Sequence, residues 1–244
     1  MKLLLRYILF MIVLEMILII GFEMASRTAI IISLTSMLVA YYTHVIIKTV
    51  SRQNLLNKQC DPEAFIEATL KRKEEKMTGV PKALIDLELT VGYIASGDFE
   101  TAKNILISLD MKPFKKSATI MGMYYNNLMV CFIYLGDLEE AHHIDIYDLK
   151  PLDIKHKRLL EGIRMSRAEL LFHQGLYDEV EDIFQTSYEN EKYPAQKLNA
   201  LYFLAKIDEV KGRTEEAKIK YQTIVQEGNG LWLKQEAFKI IQSY

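Results

Sequence analysis

The first fifth of the chain is apolar on every side, whereas the rest places apolar residues with helical period. Residues 3–22 read LLLRYILFMIVLEMILIIGF, and residues 28–47 read TAIIISLTSMLVAYYTHVII. A helix of about 20 residues rises ~1.5 Å per residue and spans the ~30 Å hydrocarbon core of a bilayer. Only five residues separate the two segments. We therefore predict a transmembrane hairpin over residues 1–50, with spans at about 3–22 and 28–47.

The basic residues around this hairpin indicate its orientation. Those close to the two outer ends of the spans are Lys2, Arg6, Lys48, Arg52 and Lys58, while the loop contains only Arg27. By the positive-inside rule both ends of the hairpin, and all that follows it, face the cytoplasm. A cleavable signal peptide is the alternative for the first segment, but no small-residue cleavage site follows it. We expect a multi-pass protein of the cell membrane with a cytoplasmic domain.

Glu15 is the one acidic residue inside the first apolar segment. A carboxylate at this depth is costly and is usually paired, protonated or buried in a bundle. Glu15 therefore has three interpretations: an intramembrane contact with another helix, a proton-coupled step, or an acid that a very apolar span tolerates. We predict the first of these, an intramembrane contact of Glu15, which includes helix–helix association through the hairpin.

A short motif recurs from residue 82 onward, with a glycine, a bulkier residue two positions later and a small residue five positions later. Its glycines are Gly97, Gly136, Gly175 and Gly212, at intervals of 39, 39 and 37 residues. Each glycine lies between two apolar-periodic stretches of helical length, which indicates a helix–turn–helix unit. Glycine adopts the left-handed conformation that ends a helix. Acidic residues follow each glycine, where they favour a helix N-terminus.

The repeat predicts an all-α fold in which an α-solenoid of about four helix pairs follows the hairpin, without a β-sheet. The predicted pairs are 82–96 with 98–110, 117–135 with 138–147, 155–174 with 177–190, and 196–211 with 214–227. Residues 51–81 form a membrane-proximal helix and linker, with a helix from Asp61 to Lys76 and a possible partner segment at 48–59. The repeats occupy 82–228. Residues 229–244 carry a C-terminal helix that caps the last repeat.

These units resemble the tetratricopeptide repeat family. The fourth unit matches best, through Leu201, Leu204, Ala205, Gly212, Ala217, Tyr221 and Ile224. The third departs most, with Arg167 at a core position and Val180 at the small position, and the period exceeds the family's usual ~34 residues. The resemblance implies a right-handed solenoid of bacterial type that acts as a scaffold and binds a protein or peptide partner along its concave face.

The family's partner-binding face carries over to this chain by register. It comprises Asn126, Asn127, Val130 and Tyr134 in the second unit, Glu169 and His173 in the third, and Tyr202 and Lys206 in the fourth. Tyr134 and Tyr202 are the expected aromatic anchors, because aromatic residues dominate interface energetics. The alternative is that both tyrosines belong to the core. Only fragments of the family's clamp for peptide carboxylates occur here.

The sequence contains none of the common catalytic or nucleotide-binding motifs. No phosphate-binding glycine loop, zinc-protease motif or nucleophile elbow occurs. With 30 basic and 32 acidic residues the chain lacks the cation excess of a nucleic-acid binder. Cys60 and Cys131 form no C-x-x-C, and adjacent His142 and His143 point to different sides of a helix. We expect no catalytic residue, cofactor or metal.

The sequence therefore favours a non-enzymatic adaptor that holds a partner at the inner face of the membrane. The alternative is an integral-membrane component of a transport, secretion or immunity system in which the hairpin is the working part. An unrecognised enzyme is a third and weaker hypothesis. The basic run at 71–76 fits either contact with anionic lipid or a solvated helix face.

Overall fold

The computed structural model describes residues 10–17, 26–74 and 81–244. Throughout these ranges the regular structure is helical and contains no strand, so the all-helical prediction is confirmed. Contacts within the chain divide it after Gln53 into two compact units. The two units are described separately.

The N-terminal unit contains helical residues 10–17 (α1) and most of helix α2, Ser26–Asn57. Within α2 the stretch Ile31–Asn57 is long and apolar enough to cross a membrane. Most of the predicted span 3–22 and the predicted loop lie outside the described residues. Helix α2 continues past residue 47, where the second span was predicted to end, because neither glycine nor proline interrupts residues 48–57.

The second unit contains ten helices in its described residues. They are α3 (Pro62–Glu74), α4 (Lys82–Ser96), α5 (Phe99–Ser108), α6 (Ala118–Leu135), α7 (Leu138–His143), α8 (Lys157–His173), α9 (Tyr177–Asn190), α10 (Pro194–Val210), α11 (Thr214–Glu227) and α12 (Trp232–Ser243). A 3₁₀ turn, Lys112–Phe114, precedes α6. The helix predicted over 138–147 is split, because the α-helix ends at His143 and a π-helix, Ile144–Leu149, follows it.

The repeat glycines occupy the turns between helices as the motif predicted. All four have positive φ angles, between 74° and 86°, which side chains with a Cβ adopt only at a cost. In the first two of these turns an aspartate begins the next helix. The carboxylates of Asp98 and Asp137 accept hydrogen bonds from the backbone N–H of Thr101 and Glu140, both at 3.1 Å.

Consecutive helices of the second unit pack against each other, and α4, α6 and α8 also pack side by side in that order. Two hydrophobic clusters form the core. One is centred on α4 to α8, with Leu106 and Met129, and the other on α9 to α12, with Phe184 and Phe203. Tyr134 of α6 packs against both clusters.

Helix α6 also has the length and composition of a membrane span, but over a third of it is buried within the second unit. Met129 and Cys131 are fully enclosed. These contacts identify α6 as a core helix.

The C-terminal segment contacts the beginning of the second unit as well as the last repeat. The backbone N–H of Gly230 donates to the Cys60 carbonyl at 3.0 Å, and Asn229 Nδ2 donates to the Gln59 carbonyl at 2.9 Å. Cys60 and Asn229 both have positive φ, 54° and 41°, which costs energy in residues other than glycine. The sequence predicted only that this segment caps the last repeat.

Trp232 extends this contact to α4 and α5. Its Cβ lies 2.7 Å from the position that a Cβ on Gly97 would occupy, so Gly97 allows a close approach as well as a turn. The indole also lies 5.7 Å from the ring of Phe99, edge-on. Helix α12 therefore joins the two ends of the unit, and its tryptophan lies beside the face on which the partner-binding residues were predicted.

Candidate functional site

The predicted partner-binding residues line two adjoining cavities of the second unit. The first has a volume of about 210 Å³, and Asn126, Asn127, Glu169, Gln196 and Asn199 supply its polar lining. We call it the amide cavity. The second has a volume of about 350 Å³ and is lined by aromatic and polar residues that include Phe99, His173, Tyr202 and Lys206. We call it the aromatic cavity. Tyr134 and Trp232 line both cavities, with ring centroids 5.0 Å apart.

Helix α6 contributes four residues of the amide cavity from one helical face. Asn126, Asn127, Val130 and Tyr134 are spaced so that they return to one side of the helix. Asn127 Nδ2 donates to Oγ1 of Thr90 in α4 at 3.1 Å, and the Thr90 hydroxyl donates to the Leu87 carbonyl. Asn127 therefore connects α6 to α4.

Asn126 is in a different situation from its neighbour. Its Oδ1 is shielded from solvent and has no hydrogen-bond partner in the described part of the chain. Gln196 of α10 resembles it, because its Nε2 donates to Asn57 Oδ1 at 2.8 Å while its buried Oε1 has no partner there. A buried acceptor without a partner costs ~1–3 kcal/mol. The amide cavity thus presents two unsatisfied carbonyl oxygens from different helices.

Glu169 of α8 lies between these amides with only 5% of its surface exposed. Its Oε2 accepts a hydrogen bond from the Tyr134 hydroxyl at 3.1 Å, and its Oε1 accepts one from Asn199 Nδ2 at 2.7 Å. No basic side chain among the described residues forms an ion pair with it. Burial raises the pKa of Glu169 to about 7, although the two hydrogen bonds oppose the shift. The carboxyl therefore holds its proton to a much higher pH than an exposed glutamate does.

The aromatic cavity is bounded by a packed group of rings. Phe99 and Tyr134 stack with centroids 4.4 Å apart and nearly parallel planes, and Trp232 meets Tyr202 edge-on at 5.4 Å. Tyr202 is 7% exposed, and burial raises its pKa above the usual range of tyrosine. Burial likewise lowers the pKa of His173. Tyr202 thus belongs to the core, whereas Tyr134 is partly buried and packs against both core clusters.

Lys206 is the basic residue predicted for this face, and it lies at the aromatic cavity. Its Nζ forms an ion pair with Glu209 Oε2 at 3.1 Å, one turn along the same helix. It is absent from the lining of the amide cavity. The positive charge of Lys206 is therefore paired with Glu209, and Lys206 does not line the cavity that contains Glu169.

Gln196, Asn199 and Trp232 were missed in the sequence. Asn199 lies three residues before Tyr202 and Gln196 lies three residues before Asn199, so the register of α10 indicated both. Nothing comparable indicated Trp232, because it follows the last repeat and reaches the cavities only through the return of α12.

The other candidates from the sequence lie elsewhere. Both cysteines are buried free thiols, and burial raises the pKa of Cys60 to about 11 and that of Cys131 to about 12. In the basic run, Arg72 pairs with Glu88 at 2.7 Å. Lys73 pairs with Asp86 at 2.5 Å, and Lys76 lies outside the described residues. The ranges that the structure describes contain no cluster of three His, Cys, Asp or Glu residues suited to a metal ion.

Comparison with protein-family models, with curated proteins and with solved structures finds no match to this chain. The function is therefore argued from its own geometry.

Proposed function

We propose that this chain is a membrane-anchored, non-enzymatic adaptor whose second unit binds a protein or peptide partner at the face of α6, α8 and α10. One observation carries the proposal. Asn126, Glu169 and Gln196 come from three separate helices, yet their polar side chains meet in one cavity inside a largely apolar unit. Burying polar groups that helix formation does not require is costly. Their convergence is the feature expected of a recognition site.

The architecture that we propose around this site is a tetratricopeptide-like solenoid of the pairs α4–α5, α6–α7, α8–α9 and α10–α11. The left-handed glycine in each intervening turn and the packing of α6 beside α4 and α8 support it. The return of α12 differs from an open solenoid, because Trp232 lies against the face that would bind an extended peptide. A partner would therefore insert a side chain between the helices or bind along the edge of α12.

The membrane anchor that we propose is the hairpin of residues 1–50, with the helical domain on the cytoplasmic side of a bacterial-type cell membrane. The apolar stretch Ile31–Asn57 supports the second span. The basic residues on either side of the hairpin support the orientation. A reporter fused after Tyr244 that is active only outside the cytoplasm would contradict it.

Site-specific photocrosslinking in native membranes tests the binding face. A photoreactive residue is placed at exposed Gln235, on the wall of the aromatic cavity, or at exposed Gln222, on α11 outside both cavities. We expect one discrete adduct with a partner protein from position 235 and none from position 222. Adducts of equal yield from both positions, or from position 222 alone, would refute the proposed face.

The second candidate function is a membrane component in which the hairpin works through Glu15. Its Oε1 is shielded from solvent and lacks a hydrogen-bond partner among the described residues. Deleting residues 1–50 separates the hypotheses. An adaptor retains binding to its isolated partner in solution, whereas a working hairpin loses all activity. Glu15→Gln, measured beside Glu23→Gln, locates that activity.

A further inference from the structure

The amide cavity presents mainly hydrogen-bond acceptors. Three of its four amides, Asn127, Asn199 and Gln196, already donate from Nδ2 or Nε2 within the protein, to Thr90, Glu169 and Asn57. Asn126 Oδ1 and Gln196 Oε1 have no donor in the described residues. Each oxygen of Glu169 accepts one hydrogen bond and has capacity for another. A complementary ligand must therefore donate several hydrogen bonds.

The charges of the residues that line the amide cavity further restrict the chemical class of its ligand. Among the described residues that line the cavity, Glu169 is the only acidic one, and none is Lys, Arg or His. A buried carboxylate is normally paired with a cation. An anion would be repelled by the ionised form of Glu169, and a neutral ligand offers that form no compensating charge. A cation that carries N–H groups meets both requirements.

The size and the walls of the cavity agree with such a cation. At about 210 Å³ it is smaller than the ~300–1,000 Å³ of sites that enclose a drug-sized ligand. It suits one terminal group with a short alkyl stem. Tyr134 and Trp232 provide aromatic surface and Val130 apolar surface, and aromatic rings attract ammonium and guanidinium ions. Ala95 and Ala195 in the lining are partly exposed, so the cavity is reached from solvent.

We propose that the amide cavity binds a primary ammonium or guanidinium group, with Glu169 as its counter-ion and the Asn126 and Gln196 side-chain oxygens as hydrogen-bond acceptors. We assign this ammonium or guanidinium group to a lysine or arginine side chain of the partner, an assignment that rests on the proposed adaptor function. A free alkylamine or alkylguanidine offers the same chemistry. A metal ion fits less well, because Ca²⁺ takes six to eight oxygen ligands, usually with several carboxylates.

Trp232 supplies the measurement, because it is the only tryptophan of the chain and lines the cavity. The full-length protein in detergent micelles is titrated with n-butylammonium or N-butylguanidinium chloride while tryptophan emission is recorded. Neutral n-butylurea, KCl at equal ionic strength and CaCl₂ serve as comparison titrants. We expect a saturable change with the two organic cations alone. Saturation with n-butylurea or with CaCl₂ at similar concentrations would overturn the proposal.

The matched variants are Glu169→Gln, which keeps the size and removes the charge, and Glu179→Gln on an exposed position of α9. We expect the Kd for n-butylammonium to rise about tenfold or more in Glu169→Gln and to stay unchanged in Glu179→Gln. Equal affinity in Glu169→Gln and the wild type would contradict the counter-ion role. If Glu169→Gln fails to fold by circular dichroism, Gln196→Leu tests the same cavity, and unchanged affinity there would count equally against it.

A blocked lysine peptide and its ε-acetylated form distinguish the sources of the cation. Tighter binding of the lysine peptide than of n-butylammonium, lost on acetylation, supports a partner side chain. Binding of the free amine but not of the peptide overturns that source and retains the cation site. A saturable response to n-butylammonium together with no adduct from position 235 would refute the adaptor and retain the cavity. No saturable response to n-butylammonium together with an adduct from position 235 would refute the cation site and retain the adaptor.

Discussion

Two helices of this chain pass the same test of length and apolar composition, yet they have different surroundings. Within the stretch Ile31–Asn57 of α2, the most apolar 18 residues include no buried residue, whereas α6 lies within the core of the second unit. Their polar residues account for the difference. Thr35 and Ser36 of α2 donate to carbonyls one turn back in the same helix, at 2.8 and 2.9 Å. Asn127 of α6 instead donates to Thr90 of another helix.

This difference matters because a bilayer offers no hydrogen-bond partners. A helix that satisfies its polar groups within itself is suited to lipid, whereas one that depends on neighbouring helices is suited to a protein core. Hydropathy alone does not distinguish α2 from α6. The hydrogen-bond partners of their few polar residues distinguish them.

The strongest test of this comparison places a lysine in each helix. Met129 of α6 is fully buried and Met37 of α2 is 61% exposed. We expect Met129→Lys to abolish cooperative unfolding of the second unit, because an unpaired buried charge costs more than ~4 kcal/mol. Met37→Lys should leave that melting transition unchanged and reduce membrane insertion, by ~2.5–3.5 kcal/mol for a central position. Circular dichroism and carbonate extraction measure the two effects. The opposite pattern would reverse the assignment of the two helices.

The next largest effect concerns Glu169, which α6 contacts through Tyr134. The pKa of Glu169 is raised from 4.5 to about 7, so the folded state binds the proton more tightly than the unfolded chain. This group therefore lowers stability as pH rises from about 4.5 to 7, by roughly 3 kcal/mol in total. We expect the stability of Glu169→Gln relative to the wild type to increase by that amount across this range. Urea unfolding at pH 4.5, 6 and 8 measures it, and a constant difference would contradict the raised pKa.

Close packing in the first half of α6 gives a smaller effect. A Cβ on Gly122 would lie 2.5 Å from Cδ1 and 3.3 Å from Cγ1 of Ile154, and 3.2 Å from Cδ2 of Leu159, so both side chains must shift to admit it. We expect Gly122→Ala to lower the free energy of unfolding by ~1–2 kcal/mol, although alanine favours helix more than glycine does. Gly162→Ala in α8 is the control, because the described residues place no atom within 4 Å of the added Cβ apart from the nearby backbone of α8 itself, and it should be neutral or stabilising. A stabilising Gly122→Ala would show that α6 is loosely packed.

The smallest effect isolates the hydrogen bond that distinguishes α6 from α2. Asn127→Ala removes the donor to Thr90 and should cost ~1 kcal/mol in the unfolding of the second unit. Thr35→Val in α2 removes a hydroxyl that bonds only to its own helix, and we expect no change in that transition. Equal effects of the two substitutions on urea unfolding would remove the distinction between the helices.

Much of the helical structure was predictable because its determinants are local. The repeat glycines marked the turns, and the predicted bounds of α4, α8 and α9 agree with the structure within two residues. The split after His143 was not predictable, since the same residues are compatible with α- and π-helical hydrogen bonding. The membrane hairpin and the solenoid remain predictions.

The residues of the candidate site were predictable only in part. The resemblance to tetratricopeptide repeats, carried over by register, implied Asn126 and Glu169. The same register on α10 extends to Gln196. Register does not report which atoms find partners, so the unsatisfied oxygens of Asn126 and Gln196 emerged only from the packed helices.

By itself, the sequence determined the helices, their turns and the apolar N-terminal segment, because helix hydrogen bonds and glycine turns form between residues close in the chain. Only the tertiary structure decided that α12 returns to Gln59 and Cys60 and that Trp232 contacts Gly97. Such contacts join residues far apart in the chain, and their geometry depends on the packing of every helix between them. For the same reason the amide cavity exists only in the folded unit, where α6, α8 and α10 bring their polar residues together.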